Sequence, residues 1–159
     1  MEKLRPVPRS TPALAAQRSQ RQPVLKADLS GTSIATTDRM NDIANFRDLI
    51  AWQKAMDLAD LVYDITETFP KREWFGLAYQ MRKSVVSIPS NIAEGHRRRT
   101  LSYAYHLEVA LGSHGELDTQ TEIGIRRRFI PNARRRHLED LIAEVGRITN
   151  GLYRSIDRK

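Results

Sequence analysis

The sequence predicts an all-α chain: an up-down-up-down antiparallel four-helix bundle preceded by a disordered N-terminal tail. Three observations carry this reading. Four successive stretches place apolar residues at three-and-four spacing, short links marked by Pro, Gly or a capping residue separate them, and no stretch alternates as a strand would. A chain of 159 residues with 40% hydrophobic content can bury one core.

Residues 1 to 40 are rich in Pro, Ser, Thr, Ala, Gln and Arg and hold no aromatic residue. That composition cannot offset the entropy of ordering, so the segment reads as a disordered basic tail. The bundle is expected over residues 41 to 159, and Met40, just before the helical periodicity, is an alternative initiator.

The first helix is expected from about Phe46 to Thr68, with Asn45 as N-cap and Phe69-Pro70 as its stop. Its apolar face is read as Phe46, Leu49, Ile50, Met56, Ala59, Val62, Tyr63 and Thr66. The second begins near Glu73 and runs to Gly95, read as a C-terminal cap. Thr100 offers an N-cap for a third helix through Tyr105, Glu108, Leu111, Leu117 and Thr121 to about Phe129. Pro131 then stands where a first helical residue would, and Leu138, Leu141, Ile142, Val145, Thr149, Leu152 and Ile156 trace the fourth.

The formal net charge is +7, which makes polyanions the first partners to consider. Alternating helix direction sorts the cations into two poles. One gathers Lys71, Arg72, Arg126, Arg127, Arg128, Arg134, Arg135 and Arg136; the other gathers Arg97, Arg98, Arg99, Arg154, Arg158, Lys159 and the tail. Arg126 to Arg128 close a helix, where the dipole favours cations, but Arg134 to Arg136 open one, where it disfavours them. Phosphate is the ligand that would keep them there, so the poles are the expected RNA- or DNA-binding residues.

Catalysis and cofactors are not expected. There is no cysteine, so thiolate metal sites are excluded. A di-iron bundle needs Glu-x-x-His motifs, whereas His106, His114 and His137 each precede a glutamate by two, which points the pair to different helix faces. No Gly-rich phosphate loop or strand-to-helix nucleophile elbow is present. No run approaches the about 20 apolar residues of a bilayer-spanning helix, so no membrane partner is expected and the compartment is expected to be the cytoplasm.

Ser87-Ile88-Pro89-Ser90-Asn91-Ile92-Ala93-Glu94-Gly95 places a proline and several polar groups inside an apolar helical pattern. Proline removes a backbone hydrogen bond at a cost of about 3 kcal/mol, so neighbouring groups should compensate. Asn91 and Glu94 are the expected donors and acceptors, with Pro89 bending the helix. Pairing the second and third helices about the link at 95 to 100 sets Asn91 near His106, Ser84 near Ser113, and Gln80 and Arg82 near Glu116 and Gln120. Gln80, Arg82, Asn91, Glu94, Ser113 and Glu116 are therefore read as a structural polar network, with Gly112 and Gly115 allowing close approach.

Phe46-x-x-Leu49-x-x-Trp52-Gln53-Lys54-Ala55, Phe69-Pro70-Lys71, Phe75-Gly76-Leu77, Gln80-Met81-Arg82, the Ser87 to Gly95 block and Leu111-Gly112-Ser113-x-x-Glu116-Leu117 together resemble the 23S rRNA intervening sequence proteins. The resemblance covers about Phe46 to Ile156. It implies a bacterial four-helix bundle that assembles as a homopentameric ring, with no settled enzymatic activity. That family is similar in turn to the accessory variability determinants of diversity-generating retroelements, which contact a reverse transcriptase and nucleic acid. Two functions follow as expectations: a non-enzymatic oligomer that binds nucleic acid through its poles, or a protein-interaction scaffold such as a reverse-transcriptase accessory protein. The long tail, and Lys83-Ser84 where the family tends to carry Arg-Ala, depart from the pattern.

Overall fold

The computed structural model describes residues 44–98 and 102–157. The basic tail, Arg99, the expected Thr100 cap, Arg158 and Lys159 lie outside the described residues. Four helices carry the described fold: α1 (Ile50–Glu67), α2 (Leu77–Arg98), α3 (Ser102–Arg126) and α4 (Asn132–Asp157). No strand occurs among the described residues. Each helix packs on the next, and α4 returns to α1. Residue pairs fix the directions. Ser84 meets Glu116 while Asn91 meets His106, so α2 and α3 are antiparallel. His114 meets Ile142 while Tyr153 meets Glu108, so α3 and α4 are as well. No described helix is long and apolar enough to cross a membrane.

The first helix starts later than its sequence pattern suggests. Phe46–Asp48 form a separate 3-10 turn, capped by the Asn45 side chain accepting from Arg47 N. Leu49 is extended at φ −71°, ψ 123° and drops its side chain into the core, which breaks the helix before Ile50. The buried face also differs. Ala51, Ala55, Leu58, Ala59, Val62, Ile65 and Thr66 face inward, whereas Ile50, Met56 and Tyr63 are 52%, 36% and 41% exposed. Small alanines let α1 lie close to its neighbours, and the larger residues one step around are left outside.

The second helix begins at Leu77, after a 3-10 turn over Lys71–Glu73, and Glu73 caps it by accepting from Leu77 N at 3.4 Å. It continues through Gly95 to Arg98, so Gly95 is not its stop. The glycine is instead a contact point. A Cβ there would lie 2.5 Å from Tyr103 Cδ2 and 3.0 Å from His106 Cβ. The reverse holds for Gly112 and Gly115, where an added Cβ would meet no atom of another element within 4 Å. Close approach of α2 and α3 rests on Gly95, not on that pair.

Extending α2 to Arg98 also shifts the helix pairing toward later residues. Ser84 reaches Glu116 and Gln120, both at 3.1 Å, and Ser113 donates to Ser87 at 2.8 Å. Asn91 Nδ2 donates to Ser87 O at 2.9 Å, and Asn91 Oδ1 faces His106 Nδ1 at 3.3 Å. Glu94 takes Arg98 at 2.6 Å and lies 3.8 Å from His106 Nε2. Two expected members do not join this interface. Arg82 turns to α1, donating to Thr66 Oγ1 at 2.7 Å with its guanidinium over the Tyr63 ring, and Gln80 is exposed.

Pro89 lies inside α2, which runs unbroken past it. Ser90 Oγ donates to Val86 O at 2.7 Å and Asn91 Nδ2 to Ser87 O at 2.9 Å, the two carbonyls that follow Val85 O, which the proline leaves without its helical donor. Glu94 faces Arg98 and His106 instead. A second glycine holds α3 against α4: a Cβ on Gly146 would lie 2.7 Å from His114, whose Nε2 meets Ile142 O at 2.8 Å and so carries the proton.

The Tyr103 hydroxyl is buried with no hydrogen-bond partner among the described residues, and burial pushes its pKa up to about 12 from an ordinary 10. The folded chain therefore holds this proton over a pH range in which the unfolded chain loses it. Its contribution to stability is complete below pH 10 and lost as pH rises toward about 12. Tyr103→Phe is expected to remove that alkaline loss and, by deleting an orphan hydroxyl, to stabilise the fold by about 1 kcal/mol at neutral pH. Urea midpoints at neutral pH and above pH 10 check both parts.

Candidate nucleic-acid interface

The links that follow α1 and α3 fold against one another at one end of the bundle. The Phe69 and Phe129 rings lie 5.6 Å apart. Arg72 sits over the Phe129 ring at 6.0 Å and Arg127 at 5.8 Å, one cation from each link. A charged pole follows from the chain path: the apolar ring anchors the corner, and the basic residues around it are turned outward.

Within this pole the arginines are not equivalent. Arg126 is held by Glu122 at 2.6 Å, Arg135 by Glu139 at 2.9 Å, Arg136 by Asp140 at 3.8 Å, and Arg72 lies 3.9 Å from Glu73. The acids one turn on in α4 thus offset the unfavourable dipole for Arg135 and Arg136. Pro131 precedes the helix, which starts at Asn132. Lys71, Arg127, Arg128 and Arg134 are exposed and form no ion pair among the described residues.

Arg128 stands apart. It has φ 58°, in the left-handed region, at the end of α3. Phe129 N donates to Gly124 O and Arg128 N to Ile125 O, both at 2.9 Å, which is the paired closure that a helix makes around a left-handed residue. Glycine fits that position without strain, and a residue with a Cβ costs about 1–2 kcal/mol more. Arg128 therefore holds a backbone conformation that glycine would adopt without strain.

Two aromatic residues share this end and were not singled out by the sequence pattern as exposed. Trp74 is 49% exposed and Phe75 92% exposed, directly after Lys71–Glu73. Their signal is adjacency in a turn: two consecutive bulky rings after Pro-Lys-Arg-Glu cannot both face one core.

The opposite pole is arranged differently. Arg97 and Arg47 lie over the Phe46 ring at 5.1 and 4.6 Å, and Phe46 packs edge-on against Trp52 at 5.4 Å. Arg98 is tied to Glu94. Arg154 is exposed, and Arg99 lies outside the described residues.

Away from the poles, Trp52, Met56, Ala59, Asp60 and Tyr63 of α1 and Val86, Pro89, Ser90 and Ala93 of α2 line an open, mainly apolar groove. Among the described residues no group of three potential metal ligands comes together. The bundle interior is filled by apolar side chains, with Leu58, Met81, Ile88, Leu107 and Leu138 fully buried. The chain has no match among curated proteins. Its residues 47–151 match the sequence model described as 23S rRNA-intervening sequence protein.

Proposed function

The chain belongs to the 23S rRNA-intervening sequence protein family, and from that premise we propose that it is a non-enzymatic, self-associating bundle that binds RNA or DNA through the basic pole around Phe129. The observation that carries this reading is the set Lys71, Arg127, Arg128 and Arg134, drawn from two links and α4 and free of internal ion pairs among the described residues. Phosphate neutralisation releases counterions, so several unpaired cations on one face give strong, salt-dependent attraction. The left-handed Arg128 supports it, because helix stability alone would favour glycine there.

Self-association is supported by the groove between α1 and α2, where Met56, Tyr63 and Val86 are exposed beside Trp52. Family resemblance implies a pentamer, and a ring would repeat the pole around its rim. The interior of the bundle is filled by apolar side chains, which supports a binding role over a catalytic one. The same groove favours the second reading, a scaffold that captures another protein.

Anisotropy of labelled RNA and DNA oligonucleotides between about 50 and 200 mM salt tests the reading. Affinity is expected to fall linearly in log–log form with added salt. Absence of binding, or binding indifferent to salt, overturns it. Light scattering should give a native mass several times the 18.2 kDa of one chain.

A further inference from the structure

We propose that the turn joining α1 to α2 is a stacking platform for unpaired nucleobases, so that the pole prefers single-stranded nucleic acid over duplex. The proposal rests on the nucleic-acid reading above and adds the form of nucleic acid recognised.

Phe75 makes no ring contact among the described residues and leaves 92% of its surface in solvent. A lone exposed ring needs no explanation. This one has company. Trp74 beside it is 49% exposed, and Tyr79, one helical turn on, is 54% exposed. Lys71 and Arg72 immediately precede them, and Arg127 reaches the same corner from the other link through the Phe129 ring.

The turn is also held in place. Glu73 N donates to Pro70 O at 2.8 Å, Trp74 N to Lys71 O at 3.2 Å and Gly76 N to Glu73 O at 3.0 Å. The Trp74 indole N–H donates to Phe69 O at 3.1 Å, which fixes one edge of the ring. The rings are therefore presented by a fixed backbone beside cations.

Every base has a π-face, and proteins that bind single strands combine a cationic track with aromatic rings on which bases stack. In a duplex those faces are already covered by neighbouring base pairs. Trp74 and Phe75 sit on a short turn and not on a helix or ribbon shaped for a groove, a placement that suits bases that are unpaired. The surrounding positive charge matches a phosphate backbone and would repel the same pole of a second copy.

The test compares Phe75→Ala and Phe75→Tyr with the unaltered chain, using labelled oligouridylate, oligothymidylate and a hairpin duplex of matched length whose loop is a non-nucleotide linker. The unaltered chain should bind the single strands more tightly than the hairpin. Phe75→Ala should weaken single-strand binding about tenfold, within the range found for removing one stacking ring. Its salt slope and its hairpin affinity should not change, and Phe75→Tyr should restore binding. Loss confined to oligouridylate or to oligothymidylate assigns RNA or DNA as the source of the bases and supports the platform. Equal loss on the hairpin, no loss at all, or a changed native mass overturns it, the last by making Phe75 part of a protein interface. If the unaltered chain binds neither form, the parent reading fails with it; if it binds with salt dependence and Phe75→Ala is silent, only the platform fails.

Discussion

Reversing Lys71, Arg127, Arg128 and Arg134 together to glutamate is expected to lower nucleic-acid affinity at least about 100-fold at physiological salt and to flatten the salt dependence by about three units of log–log slope. Each of these side chains is exposed and has no acidic partner to release among the described residues. The fold should therefore survive, with helical circular dichroism unchanged. The control lies at the other pole, where reversing Arg97 and Arg154 should alter affinity by no more than about threefold, long-range attraction being screened over roughly 10 Å. A reversed chain that still binds as tightly as the original would move the interface elsewhere.

The second large effect concerns stability. Gly95→Val is expected to destabilise the fold by about 3 kcal/mol, because even one added carbon would fall 2.5 Å from the Tyr103 ring and 3.0 Å from His106 Cβ. The second of these atoms is attached to backbone and cannot swing aside, so α2 and α3 must separate near their link. Thermal denaturation should show a midpoint lower by more than about 10 °C. Gly112→Ala is the matched comparison. A Cβ on Gly112 would meet no atom of another element within 4 Å, and removing a helical glycine should raise stability by about 0.5–1 kcal/mol.

The contrast between these glycines shows what the sequence could and could not display. Helix number and order were legible, because α4 writes its buried face as Leu138, Leu141, Ile142, Val145, Thr149 and Leu152, one stripe of large residues. On α1 the buried face carries Ala51, Ala55, Leu58, Ala59, Leu61, Val62 and Ile65, and apolar residues continue on both sides of it, so spacing alone also admits Ile50, Met56 and Tyr63, which face out. On α3 the buried set is Leu107, Ala110, Ser113, Leu117, Thr121 and Gly124, too small and polar to stand out from the opposite face. Gly95 looked like a stop because glycine often ends helices, and only the three-dimensional arrangement shows a ring lying across it.

The pole was legible as a list of cations. Its internal differences were not, because they depend on which arginines have an acid one turn away and which sit where the chain bends. Glu139 and Asp140 follow Arg135 and Arg136 by four, so that pairing was readable in principle. For Trp74 and Phe75 adjacency shows that both rings cannot face one core, but not that both stay largely in solvent.

One backbone angle sets two kinds of selection against each other. Arg128 closes α3 at φ 58°, and glycine would make the same two hydrogen bonds there without a Cβ to accommodate. A population of variants sorted only for survival on heating would shed this arginine early. Shelf life would improve, every helix would remain, and the corner would hold one exposed cation fewer.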